Sequence, residues 1–583
     1  YPDHEVKYEF GVAGAQNYAA GRLIKQTDRT GTQTFKYSLL GQVTENVRII
    51  VAPNNDPKLF KTSFDYDKYN RINKIIYPDR EEINYYYDNV GLLTSIYSKP
   101  PAETDLVAIV SSITYNHRDQ MTEVTAGNGT KTQYKYDPWS RLEELALQGT
   151  TTELRRNKYK FDANGNIKSI QGIVPMDGIA TTNELSVATQ KDFVYDTFNR
   201  LKSSTISATG GRMQKYYQLD MQYNEMNGIT NKNSKLKTYN FGGCEKPANE
   251  GENSTYLYEN SVHPNAVSEI FFNKGEPFNT PLDCATATPT QQIQTGIKER
   301  YSYDANGNQT KIEEIIGNKF PIKKLKRQLY WDEQNRIKGI VENGALQHYV
   351  YDASGERTLK SEGVSKKLVV DGDPLANTTQ MGPYIYYPSG YLVLSDKQLS
   401  KHYYIGSQKI ATRVSDIPSH GFAISDSSPY SGLASQIKTE AETLAVSGGL
   451  PTIKWEKSEQ SAVLEEIALD EESCTTEIFN QLDAFNEQEN QLCYKKLLLG
   501  YEKAVNSGFR NAVCNFWATF QQDDCMTDFP PEEIKSSMYW LHPDHLGSSS
   551  VLTDESGEIS NWYEYLPFGE ILMEQSNNSY DNP

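Results

Sequence analysis

Cysteine is scarce: six in 583 residues, at Cys244, Cys284, Cys474, Cys493, Cys514 and Cys525. That density excludes a disulfide scaffold, and the absence of any Cys-x-x-Cys pair argues against a structural zinc site. The even count, split between two segments, leaves disulfides and buried thiols both open. No apolar run reaches about 18 residues, so no membrane-spanning helix is expected. Basic residues are also short, 58 against 76 acidic ones for a net charge of −18. Phosphate binding needs a basic surface, so nucleic acid is excluded as a partner, and the acidic exterior serves solubility. Phosphate-cradling glycine loops, nucleophile elbows and His-Glu-x-x-His helices are missing too. No catalytic residue and no cofactor is therefore assigned. The chain opens on Tyr1-Pro2-Asp3-His4, without an initiator Met or a signal peptide. The expectation is a fragment of a longer protein.

What the sequence does have is tyrosine, 40 residues against 20 Phe and 6 Trp. Tyrosine favours half-buried strands, with its ring in the packing and its hydroxyl at the wet edge. Many of these tyrosines open one recurring phrase: an aromatic, usually Asp, two variable residues, then Gly or Asn. Clear copies begin at Tyr66, Phe161, Tyr195, Tyr303 and Trp331. Eleven copies start at 37, 66, 87, 115, 136, 161, 195, 223, 303, 331 and 351. Such self-similarity overrides a reading as independent domains and predicts a stacked array.

The fourth residue after each aromatic carries the most information. It is Gly41, Asn70, Gly91, Asp119, Gly165, Asn199, Asn227, Gly307, Asn335 or Gly355, with Ser140 as the one exception. Gly, Asn and Asp best tolerate a left-handed backbone, so each phrase predicts a strand end, a tight turn and a return strand. The Asp after the aromatic caps the turn by accepting backbone N–H groups, a structural role. Alternating runs such as Glu82–Tyr87, Thr132–Tyr136 and Gln347–Tyr351 lead into the turns with the period of two that a half-buried strand requires. The fold class expected is mostly β: a spiralling antiparallel sheet that forms a shell, with a helical insertion near the C-terminus. A long open sheet must close or keep spiralling to manage its edges.

Two segments interrupt the pattern. Residues 231–300 carry no good phrase and are rich in Asn, Gly, Thr and Pro, which predicts a loop-rich insertion. Residues 413–538 have helical spacing instead, for example Ile478, Leu482, Phe485 and Leu492, and predict a mainly helical insertion. The organisation expected is a repeat shell over 1–230 and 301–412, split by the first insertion, with the second preceding a C-terminal part at 539–583. In that last part His542 and His545 form a His-x-x-His pair. Pro543 argues against the helix that would aim both at one metal, and no third ligand is near. They read as part of a turn; no metal is assigned, and these two are the only weak candidates.

The run Tyr539-Trp540-Leu541-His542-Pro543-Asp544-His545-Leu546-Gly547-Ser548, followed by Tyr563-Glu564-Tyr565-Leu566-Pro567-Phe568-Gly569, closely resembles the Rhs-repeat-associated core. The aromatic-Asp phrases resemble the YD repeats of the same Rhs/YD-repeat family, so the likeness covers most of the chain outside the insertions. The resemblance implies a hollow shell, as in bacterial polymorphic toxins and toxin-complex components, enclosing a C-terminal toxic polypeptide encoded by the same gene. It implies a secreted or cell-surface protein that meets a delivery machinery. It also implies a downstream aspartyl autoprotease that frees the toxin; the chain stops at Pro583, before that segment, and no protease residue is assigned. The chain itself is expected not to be an enzyme. The alternative expectation is a surface adhesion or recognition protein, built on the same shell and binding through the helical insertion.

Overall fold

The alternating, tyrosine-rich runs are strands in the computed structural model. It describes residues 6–52, 57–101, 105–175, 186–210, 213–240, 245–246, 252–274, 297–316, 322–370, 373–417, 422 and 536–576. Within these, 35 strands join one sheet, and no helix occurs. Each strand pairs antiparallel with the next in the chain. The single side branch is Glu245–Lys246, which pairs with Ile229–Asn240 while that strand also pairs with Glu252–Leu257. No pairing joins the first strand, Lys7–Phe10, to the last, Ile571–Ser576, so the sheet is open. A meander of this kind needs only short connections.

Alternation of edges follows from the meander. The phrase turns all fall on one edge. The connections at Pro175–Ser186, Lys274–Ile297 and Ser415–Ser536 all fall on the other. One edge therefore carries all eleven phrase turns, while the two longest connections, Lys274–Ile297 and Ser415–Ser536, lie on its opposite.

The register supplies the coiling. At each phrase the ladder shifts beside the aromatic: Asp65 pairs with Lys74, yet Tyr66 pairs with Ile72, leaving one extra residue on the return strand. The same shift recurs at Tyr87, Tyr136, Phe161, Tyr195, Tyr223, Tyr303, Trp331 and Tyr351. A bulge bends its strand and increases the local right-handed twist. Repeated at one edge of every hairpin, it makes the sheet curl.

The curled sheet returns onto itself. Arg48 pairs with Asp352, and Tyr77 Oη donates to the carbonyl of His402, across 304 and 325 residues. Beyond the segment between Ser415 and Ser536, Trp540 Nε1 donates to the Ile109 carbonyl across 431 residues. Lys232 meets Glu570 across 338. Four C-terminal strands thus face the early ones between Val107–Tyr115 and Ile229–Asn240. The core lies between these layers. One cluster joins Ile83, Ile96 and Ile109 to Tyr403, Ala411 and Trp540; another joins Leu147, Ile206 and Leu219 to Val551, Trp562 and Leu572. A third joins Ile50 and Phe60 to Leu359, Tyr386 and Leu394.

Two expected boundaries move. The loop-rich insertion at 231–300 is crossed by wall strands: Glu252–Leu257 and Glu269–Lys274 pair with each other, and the latter with Ile297–Tyr303. Tyr258 keeps the aromatic's role there, but its turn is longer and places Val262 four residues on, so the phrase is hidden. The limits expected for the helical insertion, 413 and 538, both fall within strands. Strands Gln408–Ser415 and Ser536–Pro543 pair directly, Ser415 opposite Ser536. The period of two in Arg413-Val414-Ser415 and Ser536-Ser537-Met538 is too short to register against the helical pattern beside it. The helices expected within 413–538 lie outside the described residues, as do all six cysteines.

Candidate functional site: repeated turns and an interlayer seam

The turn begins from its left-handed residue. Asn70, Asp119, Asn199, Asn227 and Asn335 have φ between 58° and 66°, and Gly41, Gly91, Gly165, Gly307 and Gly355 between 87° and 103°. Ser140, the residue type that departs from the rule, takes the same conformation at φ 68°. Each turn is closed by paired backbone bonds: Asn70 N donates to the Asp67 carbonyl, and Asp67 N to the Arg71 carbonyl. Asp67 Oδ1 accepts from Tyr69 N and Arg71 N at 2.8 and 3.0 Å. Asp137, Asp162, Asp196, Asp304 and Asp332 repeat this cap.

A position that the sequence reading passed over completes the unit. Five residues after the aromatic stand Arg71, Arg141, Arg200 and Arg336, each donating Nε to Oδ2 of its turn Asp at 2.7 Å. Burial pushes the Asp67 carboxyl up, but the Arg71 guanidinium and the backbone donors outweigh it and hold it below its usual range. The guanidinium also reaches the next turn. Arg200 lies 4.5 Å from the Tyr223 ring centre and donates to the Asn224 carbonyl, and Arg336 donates to the Asp352 carbonyl. Where Asn replaces Arg, Asn166 and Asn308 bond their own Asp and the left-handed Asn199 and Asn335 of the next turn. The recurrence of Arg or Asn at that spacing was the available signal.

The aromatic has a second duty. Tyr87 Oη donates to the carbonyl of Ile72, Tyr195 to Ile167, Tyr223 to Leu201 and Tyr351 to Ile337. Each acceptor is the aliphatic that opens the preceding return strand, displaced by the bulge. Burial lifts these phenols above their ordinary range and keeps them as donors. Nine of the eleven turns are thus tied to a neighbour by a hydroxyl strut as well as by the ladder; Trp331 donates its Nε1 to the Gln309 carbonyl instead, and Phe161 has no donor.

Ion pairs and histidines hold the seam between layers. Glu81, fully buried, faces Lys401 and Arg413 and accepts from Tyr403 Oη at 2.9 Å. Burial raises its carboxyl, yet the two cations prevail and hold it low. Glu564 is matched likewise, with Arg155 at 3.1 Å and with Lys191. His542 is buried, its Nδ1 3.3 Å from Thr132 Oγ1 in the early layer and its Nε2 2.9 Å from Thr553 Oγ1 in its own. Burial alone lowers it to about 3. It borders a cavity of about 30 Å³, lined by Val110, Val124, Tyr134 and Trp540. His545 stands apart in the following turn, its ring 4.9 Å from that of Tyr159. The structure does not aim the two imidazoles at a common point: each His542 nitrogen faces a threonine hydroxyl. Among the described residues no group of three His, Cys, Asp or Glu side chains could hold a metal ion.

Neither a protein-family profile nor a curated protein sequence matches the chain. Solved structures do. The crystal structure of TcdB2-TccC3 is similar over 98% of this chain and 22% of its own, at 13% identity and a TM-score of 0.57. Its TcdB2-TccC3-Cdc42 counterpart matches with 14% identity and a TM-score of 0.58, over the same shares. The Photorhabdus luminescens Tc holotoxin pore with the mutation TccC3-D651A covers 98% of this chain and 21% of its own, at 14% identity and a TM-score of 0.53. The chain spans about a fifth of the length of the structures it matches. At these identities the likeness is one of fold: this chain is built like part of TcdB2-TccC3.

Proposed function

We propose that the chain is a wall segment of an Rhs/YD-repeat shell that encloses a toxic polypeptide, its own C-terminal continuation, for secretion or delivery. The observation that carries the reading is the fold likeness to the TcdB2-TccC3 structures over 98% of the chain. The way the wall is made supports it. Recurrent carboxylates are engaged as turn caps, aromatic hydroxyls as struts, and buried charges as pins between layers, so the conspicuous side chains serve construction. We read the chain as non-catalytic, its action being steric: a rigid curled sheet keeps its contents from solvent and proteases. The implied release protease would belong to sequence beyond this chain.

The test fuses a protease-sensitive reporter polypeptide after Pro583. Enclosure predicts that the reporter survives a protease that degrades it when free, and becomes cleavable once the shell is denatured. A reporter digested at the same rate fused and free contradicts the reading.

A further inference from the structure

We propose that the turn-bearing edge of the sheet is an association surface whose occupant is a second copy of this chain, seated edge to edge. The residue before the left-handed position is the tip of each turn. Leu40, Tyr69, Val90, Trp139, Phe198 and Met226 occupy it in the early layer and are 58–81% exposed. Leu546 and Phe568 occupy it in the C-terminal layer, 77% and 49% exposed. Of the 21 large exposed hydrophobics among the described residues, 12 fall in connections on this edge, and one, Leu106, in a connection on the other. The turn itself does not ask for an apolar tip. Asn306, Gln334 and Ser354 fill the same position at the turns of Asp304, Asp332 and Asp352, with the same capping bonds.

The fringe is large, ordered and nearly neutral. Turns on one edge are two strands apart, about 10 Å, so the tips from Leu40 to Met226 run for roughly 70 Å. Eight such side chains expose roughly 1,000 Å² of apolar surface, against the roughly 800 Å² per partner that a stable protein interface buries. The aromatic tips are held in place. Tyr69, Trp139 and Phe198 each lie 5.1 Å beneath the guanidinium of Arg71, Arg141 and Arg200, and each Arg is fixed by its Asp. Pre-ordered rings lose little entropy on docking, and Trp, Tyr, Phe, Met and Arg are the residues that protein interfaces favour. A chain of net charge −18 repels its copies, and repulsion is weakest where Arg neutralises the turn carboxylates. A two-fold axis would set the tips of one fringe against the polar gaps at Arg118 and Asn164 of the other.

The proposal does not depend on enclosure, since loss of cargo would leave the contact intact. Sedimentation velocity on the full chain tests it. The expected species is a dimer, and the double change Trp139→Ser with Phe198→Ser raises its dissociation constant about a hundredfold. Both residues are exposed, so circular dichroism and Tm stay as they were, and Leu106→Ser on the opposite edge leaves the dimer unchanged. A monomer at every concentration, or a dimer indifferent to the double change, overturns the proposal. So does a monomer that co-sediments with phosphatidylcholine vesicles and loses this with the double change, because the fringe would then face lipid.

Discussion

A single backbone angle explains most of the repeat. A β-carbon in the left-handed region costs about 1–2 kcal/mol, which is why Gly, Asn and Asp hold ten of the eleven positions. Ser140 bears that cost at φ 68°. Ser140→Gly should therefore stabilise the protein by roughly 0.5–1 kcal/mol, read as a raised Tm, and Gly165→Val should lower stability by about 2 kcal/mol or more. No change in either would mean that the turns are not under this constraint. The tyrosine strut gives a second test. Tyr195→Phe removes the bond to the Ile167 carbonyl and should cost about 1 kcal/mol in denaturant unfolding. This scale was the most legible in the sequence. The left-handed residue and the capping Asp recur at fixed spacing, and a local rule reads them. The arginine at Arg71, Arg141 and Arg200 was overlooked because Asn stands in its place in other copies, and the two share only the ability to donate to the Asp.

At the scale of strands and layers, the alternating runs told where strands lie and that neighbours in the chain pair. They did not tell of the bulge, since Tyr66 opposite Ile72 and Asp65 opposite Lys74 is a matter of register between strands. Nor did they tell of the seam, whose partners are more than 300 residues apart and share no motif. Residues 231–300 were misread for a related reason: the longer turn after Tyr258 hides the phrase while the wall runs on. The seam makes two predictions. Glu81→Gln removes the buried carboxylate that faces Lys401 and Arg413, leaving Lys401 to Asp79, and should cost about 3 kcal/mol, whereas pairing Glu81→Met with Lys401→Met should cost less than the sum of the two single changes. Additive losses would show that the pair does not act as a unit. His542 sets a pH dependence. Its folded value of about 3 lies below the ordinary 6.5, so the unfolded chain binds its proton first. Stability is complete above about pH 6.5 and falls toward pH 3, by up to about 1.4 kcal/mol per pH unit. His542→Gln should flatten the fall in Tm between pH 6.5 and 4.5; an unchanged slope would remove His542 as its source.

For the whole molecule, the decisive property is that an open sheet curls, returns and lays a second layer on the first. Each bulged turn adds a little twist, and many turns on one edge accumulate it, so the wall follows from repetition. The resulting asymmetry, all the phrase turns on one edge and the two longest connections on the other, gives the sheet two unlike edges. The likeness to TcdB2-TccC3 covers 98% of this chain and only 22% of that one, so this wall matches about a fifth of that structure. The sequence disclosed the repeat and the spiral but not which strands meet across the layers, because that depends on accumulated curvature, a property no short window carries. The most direct test of the account is a cryo-electron microscopy reconstruction of the protein. It should show a curled wall, two layers thick where Trp540 meets Ile109, around a lumen free of the wall's own strands; a solid sandwich with its centre filled by those strands would contradict it.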